Sequence, residues 1–270
     1  SDEEIGLIGA HELDTALFRS ERLINIDSEE EGVLWTGCAG GETFELSVPV
    51  DKEDAKGHIA MKIAISGLLG GHSGMEIHRK RNNAIKVLTE VLNRLKDTAA
   101  ISLVSISGGT KHNAIPRDAE AVIAVHASEK DNVKTQLEEI AKELQEVYEG
   151  QEFEDIPKIE TSFIAGSSHD IFTQESFERT LACLTLLPTG VYSMSKQIDG
   201  MVQTSDNLAI VETEEHSVKV IASLRSSDLT DWAALKEKIL AVTDITKSQL
   251  EITGGYPVWE VKEHSPLRDT

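Results

Sequence analysis

Carboxylates, a few imidazoles, one strand-end guanidinium and several glycine-flanked turns are the groups in this sequence able to act on a small polar ligand. The adjacent pair Glu3-Glu4 can serve a metal site, one carboxylate ligating the ion while its neighbour takes a proton from bound water. Standing alone in so acidic a chain, the pair reads more simply as solvated surface. Asp27 closes the apolar run Leu23-Ile24-Asn25-Ile26, at the kind of strand end where α/β folds gather ligands, or else it caps a turn. Gly70-Gly71-His72-Ser73-Gly74 lets backbone approach a ligand closely while it holds one imidazole outward; the plainer reading is a solvated loop histidine. Asn113, before the stiff Ile115-Pro116 step, is either a turn former or an amide offered to a ligand. Arg225 ends an apolar strand and precedes Ser226-Ser227-Asp228, a helix cap, so its fork can take a carboxylate in bidentate geometry or pair with a surface acid. Gly254-Gly255-Tyr256-Pro257 offers backbone N–H groups or makes a turn. Cys38 and Cys183 have no Cys or His at zinc-site spacing.

The elements that must position these groups follow from periodicity. Apolar or alternating runs predict strands at about 22–27, 32–38, 42–50, 57–66, 99–107, 119–127, 157–165, 190–198, 206–214, 216–225 and 248–253. Helical spacing marks 83–97, 131–149 and 229–243, and a weaker helix covers 174–187 before Pro188. From 57 to 165 the order is β-α-β-β-α-β, the split pattern of helices layered on an antiparallel sheet. From 174 to 253 the order α-β-β-β-α-β suggests a second such unit continuing the same sheet. The expected fold is therefore α+β, a two-layer sandwich of two ferredoxin-like units. The glycine cluster Gly37, Gly40 and Gly41 suggests a domain boundary near 41–50.

Composition narrows the partners. The 270 residues are 40% hydrophobic and 27% charged, which gives a normal globular core. Lys and Arg number 26 against 47 Asp and Glu, and a net charge of −21 repels phosphate backbones and anionic lipid alike, so neither nucleic acid nor a membrane is expected as a partner. Two cysteines and no long apolar run disfavour a disulfide framework and a transmembrane helix, and a cytoplasmic setting fits. The chain opens at Ser1-Asp2-Glu3-Glu4 without an initiator Met or a leader, as a fragment would.

Taken together, Asp2–Ala10, Leu23–Gly32, Gly37–Gly41, Gly70–Gly74 with Asn82-Asn83-Ala84, the Gly108–Arg117 segment, Val202–Leu208, Ser223–Ser227 and Gly254–Pro257 resemble the aminoacyl-histidine dipeptidases. These are also called Xaa-His dipeptidases, or peptidase D, and are carnosine-cleaving members of the two-zinc peptidase superfamily. The resemblance is collinear and spans nearly the whole chain. It implies that Glu3 is the general base, Glu4 and Asp27 are zinc ligands, and His72, from the partner subunit's lid, steadies the oxyanion. It further implies that Arg225 holds the substrate's C-terminal carboxylate, with Asn113, Thr204 and Gly255 as further substrate contacts. The implied substrate is a dipeptide with C-terminal histidine, the cofactor two zinc ions per active site, and the assembly a homodimer made through the lid. The family's other zinc ligands have no counterpart here. By this resemblance the chain reads as the lid and dimerisation domain, 42–253, with remnants of a catalytic domain at 1–41 and 254–270, inactive alone. A catalytically inactive dimerisation or small-molecule-binding module is the alternative.

Overall fold

The computed structural model describes residues 9, 12–26, 31–149, 155–164, 170–262 and 264–269. Glu3, Glu4 and Asp27 lie outside the described residues. The strands of the first half are β1 (Gly40–Pro49), β2 (Lys52–Asp54), β3 (His58–Ser66), β4 (Gly71–His72), β5 (Ile101–Gly108), β6 (Ala114–Ile115), β7 (Ala119–His126) and β8 (Lys158–Ile164). Those that follow are β9 (Asp170–Phe172), β10 (Gly190–Met194), β11 (Val202–Thr213), β12 (Ser217–Ser226) and β13 (Gln249–Tyr256). The helices are α1 (Ala84–Thr98), α2 (Lys130–Glu149), α3 (Gln174–Leu186) and α4 (Leu229–Thr246).

Nine strands make one sheet, in the order β13-β1-β12-β11-β5-β7-β3-β8, with β10 beside the first half of β11. Every pairing in it is antiparallel. α1 packs on α2 and α3, and α3 packs on α4, as a helical layer. One continuous core runs under all four, from Leu88, Leu92, Leu137 and Leu144 through Met61 and Ile123 to Phe44, Leu224, Phe177, Leu235 and Ile239. The α+β sandwich read from the periodicity is the fold of the chain.

The strands β3, β5, β7 and β8 lie in the spatial order β8-β3-β7-β5, which is the ferredoxin-like arrangement. β1, β11, β12 and β13 repeat it as β13-β1-β12-β11. The second unit therefore takes its first strand from β1, and the first unit is inserted between β1 and α3. A reading confined to 174–253 misses this, because no local pattern shows that a strand's partners lie beyond an intervening domain.

Two expected strands are absent. Residues 22–26 and 33–37 form no strand, and Cys38 makes only a single bridge with Trp259. Ile26 is 93% exposed and Leu34 86%. β-branched composition alone does not make a strand without a partner to close the ladder. The Cys38–Trp259 bridge sets the two flanks side by side where they leave the β1–β13 pair. Cys38 and Cys183 are both free thiols, one exposed and one buried.

Candidate functional site

Leu224 and Ser226 point into the helical layer, so Arg225 between them points away from it, by the alternation of a strand. In register, Arg225 stands opposite Ser205 on one side and Gly41 on the other, and Gly41 in turn stands opposite Tyr256. These four residues form one row across four strands. A Cβ at Gly41 would fall 2.8 Å from the Tyr256 ring, so the missing side chain is what lets that ring cross β1. Its hydroxyl oxygen accepts a hydrogen bond from Arg225 Nη1 at 3.1 Å.

Over this row lies a two-stranded ribbon of β4 and β6, drawn from either side of α1 and β5, whose register is Gly71 with Ile115 and His72 with Ala114. The turn after His72 is tight. Its amide donates to Glu76 Oε2 at 3.0 Å, and the Glu76 amide returns a bond to the His72 carbonyl at 2.8 Å. Arg81 braces the turn, with Nη2 on Glu76 Oε1 at 2.8 Å and Nη1 on the Gly70 carbonyl. At Gly74 a Cβ would meet His72 Cε1 at 3.1 Å and Arg225 Cζ at 3.2 Å, so this glycine lets the imidazole and the guanidinium close on the same spot.

The protonation of His72 follows from its partners. Nδ1 faces the backbone N–H groups of Gly74 and Met75, each at 3.2 Å, and must accept from them. The ring proton of the neutral form then sits on Nε2. Burial, with Arg225 and His112 nearby, holds the imidazole below the usual histidine value against the opposing pull of Glu76. At neutral pH His72 is an uncharged N–H donor beside a permanently charged fork. The His72 amide, followed by Arg81 and Arg79, keeps Glu76 ionised below the usual carboxylate range.

Asn113 joins this group through its backbone, its carbonyl accepting from the Ser73 amide at 2.9 Å. Gly255 is exposed next to Tyr256, with Glu42 and the Gly41 carbonyl as its nearest neighbours. Thr204 does not join. It faces the helical layer, is 0% exposed, and its hydroxyl is committed to Ser226 at 2.7 Å and to Asp231 at 3.4 Å. Alternation puts Ser205, not Thr204, on the face of Arg225. Tyr256, Glu76, Arg81 and His112 complete the setting and were not singled out as contributors from sequence. The Gly-Gly-Tyr-Pro run carried a signal for Tyr256, but its link to Arg225 crosses a strand drawn from the far end of the chain.

Residues 55–152 match the family model of the peptidase dimerisation domain. The chain is 33% identical to the cytosol non-specific dipeptidase of Escherichia coli (strain K12), over 98% of this chain and 54% of that protein. The crystal structure of aminoacylhistidine dipeptidase from Vibrio alginolyticus superposes with a TM-score of 0.88 at 30% identity, over 99% of this chain and 54% of that one. By sequence and by fold, the chain is a relative of these dipeptidases. It spans about half the length of the relatives it matches. The family resemblance carried by the motifs is thus borne out, and the matched dimerisation segment falls on the first ferredoxin-like unit. No described helix is long and apolar enough to cross a membrane.

Proposed function

We propose that this chain is the lid and dimerisation part, 42–253, of a metal-dependent dipeptidase whose substrates are dipeptides with C-terminal histidine. The observation that carries the reading is the meeting of Arg225 and His72 at Gly74 in a chain related to dipeptidases along its whole length. A dipeptide offers two features to such a pair. Its C-terminal carboxylate suits the Arg225 fork, held side-on by Tyr256, and the carbonyl of the bond to be cut suits the Nε2–H of His72. A neutral donor is right for this task, because it stabilises charge that appears on the carbonyl oxygen in the transition state without pairing with the ground-state carboxylate.

Both groups meet within one chain, so the lid presents them to the substrate together. Asn113 and Gly255 flank the grip; Thr204 braces the strand beneath it. Among the described residues no three His, Cys, Asp or Glu side chains gather closely enough to hold a metal ion. Glu3 as base, with Glu4 and Asp27 as ligands of a two-zinc centre, remain the assignment for the full-length protein, where the centre would supply the activated water. A homodimer in the cytoplasm is the matching assembly and setting.

The test pairs zinc analysis with hydrolysis of β-alanyl-histidine, on the full-length protein and on the 270-residue chain. Turnover with two zinc ions per subunit in the former, and neither in the latter, is expected. A full-length protein that cleaves other dipeptides but not β-alanyl-histidine would remove the C-terminal histidine preference, and one that cleaves none would remove the peptidase reading.

A further inference from the structure

The two-stranded ribbon that presents His72 is too small to hold its own shape. β4 and β6 have two residues each and pair only with one another, apart from the large sheet. So short a ladder does not persist in water without support. Two side chains of the sheet supply it. Asn207 Nδ2 donates to the Ala114 carbonyl at 2.8 Å, and Ser223 Oγ donates to the His112 carbonyl at 3.0 Å.

These two residues stand directly opposite each other on β11 and β12, two positions along from the Ser205–Arg225 pair and on the same face of the sheet. Both are nearly fully buried, at 1% and 6% exposure. Asn207 leaves its Oδ1 buried without a partner, as Ser73 leaves its Oγ beside the ribbon above. An unpaired buried oxygen is costly, so a side chain suited to packing alone would be apolar here. What the carboxamide does at this position is hold the Ala114 carbonyl, and Ala114 is the register partner of His72.

We propose that Asn207 and Ser223 are positioning residues that register the His72 ribbon on the strand pair carrying Arg225. They fix the separation of imidazole and guanidinium, and with it the length of ligand the two can grip together. The proposal rests on the role given to His72 and Arg225 above, but its test needs no turnover.

The experiment reads the 270-residue chain by NMR, through the His72 ring nitrogens and the hydrogen exchange of the Ser73 amide, which is bonded to the Asn113 carbonyl across the ribbon. Asn207→Asp turns the donor into an oxygen facing a carbonyl. Ser73 exchange then accelerates by about tenfold, as expected for losing one buried hydrogen bond. The His72 nitrogens move from the single Nε2–H form towards the averaged shifts of a free ring, while the amides of β3 and β7 keep their protection. Ser223→Ala moves both readouts the same way by roughly threefold, and Ser223→Thr, which keeps the hydroxyl, restores them. If Asn207→Asp does not fold, the Ser223 pair decides alone. Unchanged His72 nitrogens and Ser73 exchange in the variants that fold would overturn the proposal, as would loss of protection spread evenly over both units. Failure of the dipeptidase reading looks different: Arg225→Ala in the full-length protein would leave KM for the dipeptide unchanged while the ribbon stays intact.

Discussion

Arg225 directs one of its five donors to the Tyr256 hydroxyl, which leaves the rest of the fork for a carboxylate. On the proposed dipeptidase reading, Tyr256→Phe in the full-length protein should raise KM by roughly fivefold with kcat within about twofold, the pattern of a lost ground-state contact in steady-state kinetics. A different residue governs stability. Asp206 is buried on the helical side of β11 with neither carboxylate oxygen partnered, and burial pushes its carboxyl up to about 7, against the lowering effects of the Asn207 amide and Lys86. The folded state therefore keeps a proton that the unfolded chain releases near its ordinary value of 3.8. Stability is fully present below that value and falls as pH rises towards 7. Asp206→Asn should stabilise the chain by roughly 2–4 kcal/mol at pH 7 and by distinctly less at pH 5, as urea melts at the two pH values would show. The Thr204-Ser205-Asp206-Asn207 run was legible as a motif, yet which of its members face a ligand was not. Alternation sends Thr204 and Asp206 to the helices and Ser205 and Asn207 to the site, and only the register settles that choice.

Among the elements, α1 is held at its start by Asn83, whose Oδ1 accepts from the Ile85 and Lys86 amides while Nδ2 donates to the Leu208 carbonyl at 2.7 Å. The next turn carries Lys86 across to the end of α3, where its ammonium donates to the Leu184, Thr185 and Leu187 carbonyls. A helix start and a neighbouring helix end are thus tied together within four residues of sequence. Asn83→Ala strands two N–H groups and a buried carbonyl, and should cost about 2–3 kcal/mol in chemical denaturation. The four helices were all legible, because their apolar stripes repeat at helical spacing and Gly150 and Pro188 mark two of the stops. The small ribbons β2–β9 and β4–β6 were not. Two or three residues carry too little pattern, and their partners lie far along the chain.

For the molecule as a whole, the strand β8 forms one end of the nine-stranded sheet, beside the segment that matches the peptidase dimerisation domain, and an edge strand can pair with a second copy. Two copies each carrying −21 repel, so association should tighten as salt is raised from about 20 to 200 mM, where screening shortens the range of that repulsion. Sedimentation equilibrium of the 29.5 kDa chain at the two salt concentrations measures this; weaker association at the higher salt would point instead to an interface held by ion pairs. The sequence alone settled the α+β class, the helices, most strands of the sheet and the family, since each is written in local periodicity or in short collinear motifs. It also named His72 and Arg225. Only the tertiary structure decided that β1 completes the second unit, that 22–26 forms no strand, that Thr204 is turned inward, and that Gly41 lets Tyr256 reach Arg225. The reason is physical: a strand's partners, and so the face each side chain presents, depend on chain that lies far away in sequence, whereas a helix closes its hydrogen bonds within its own turns.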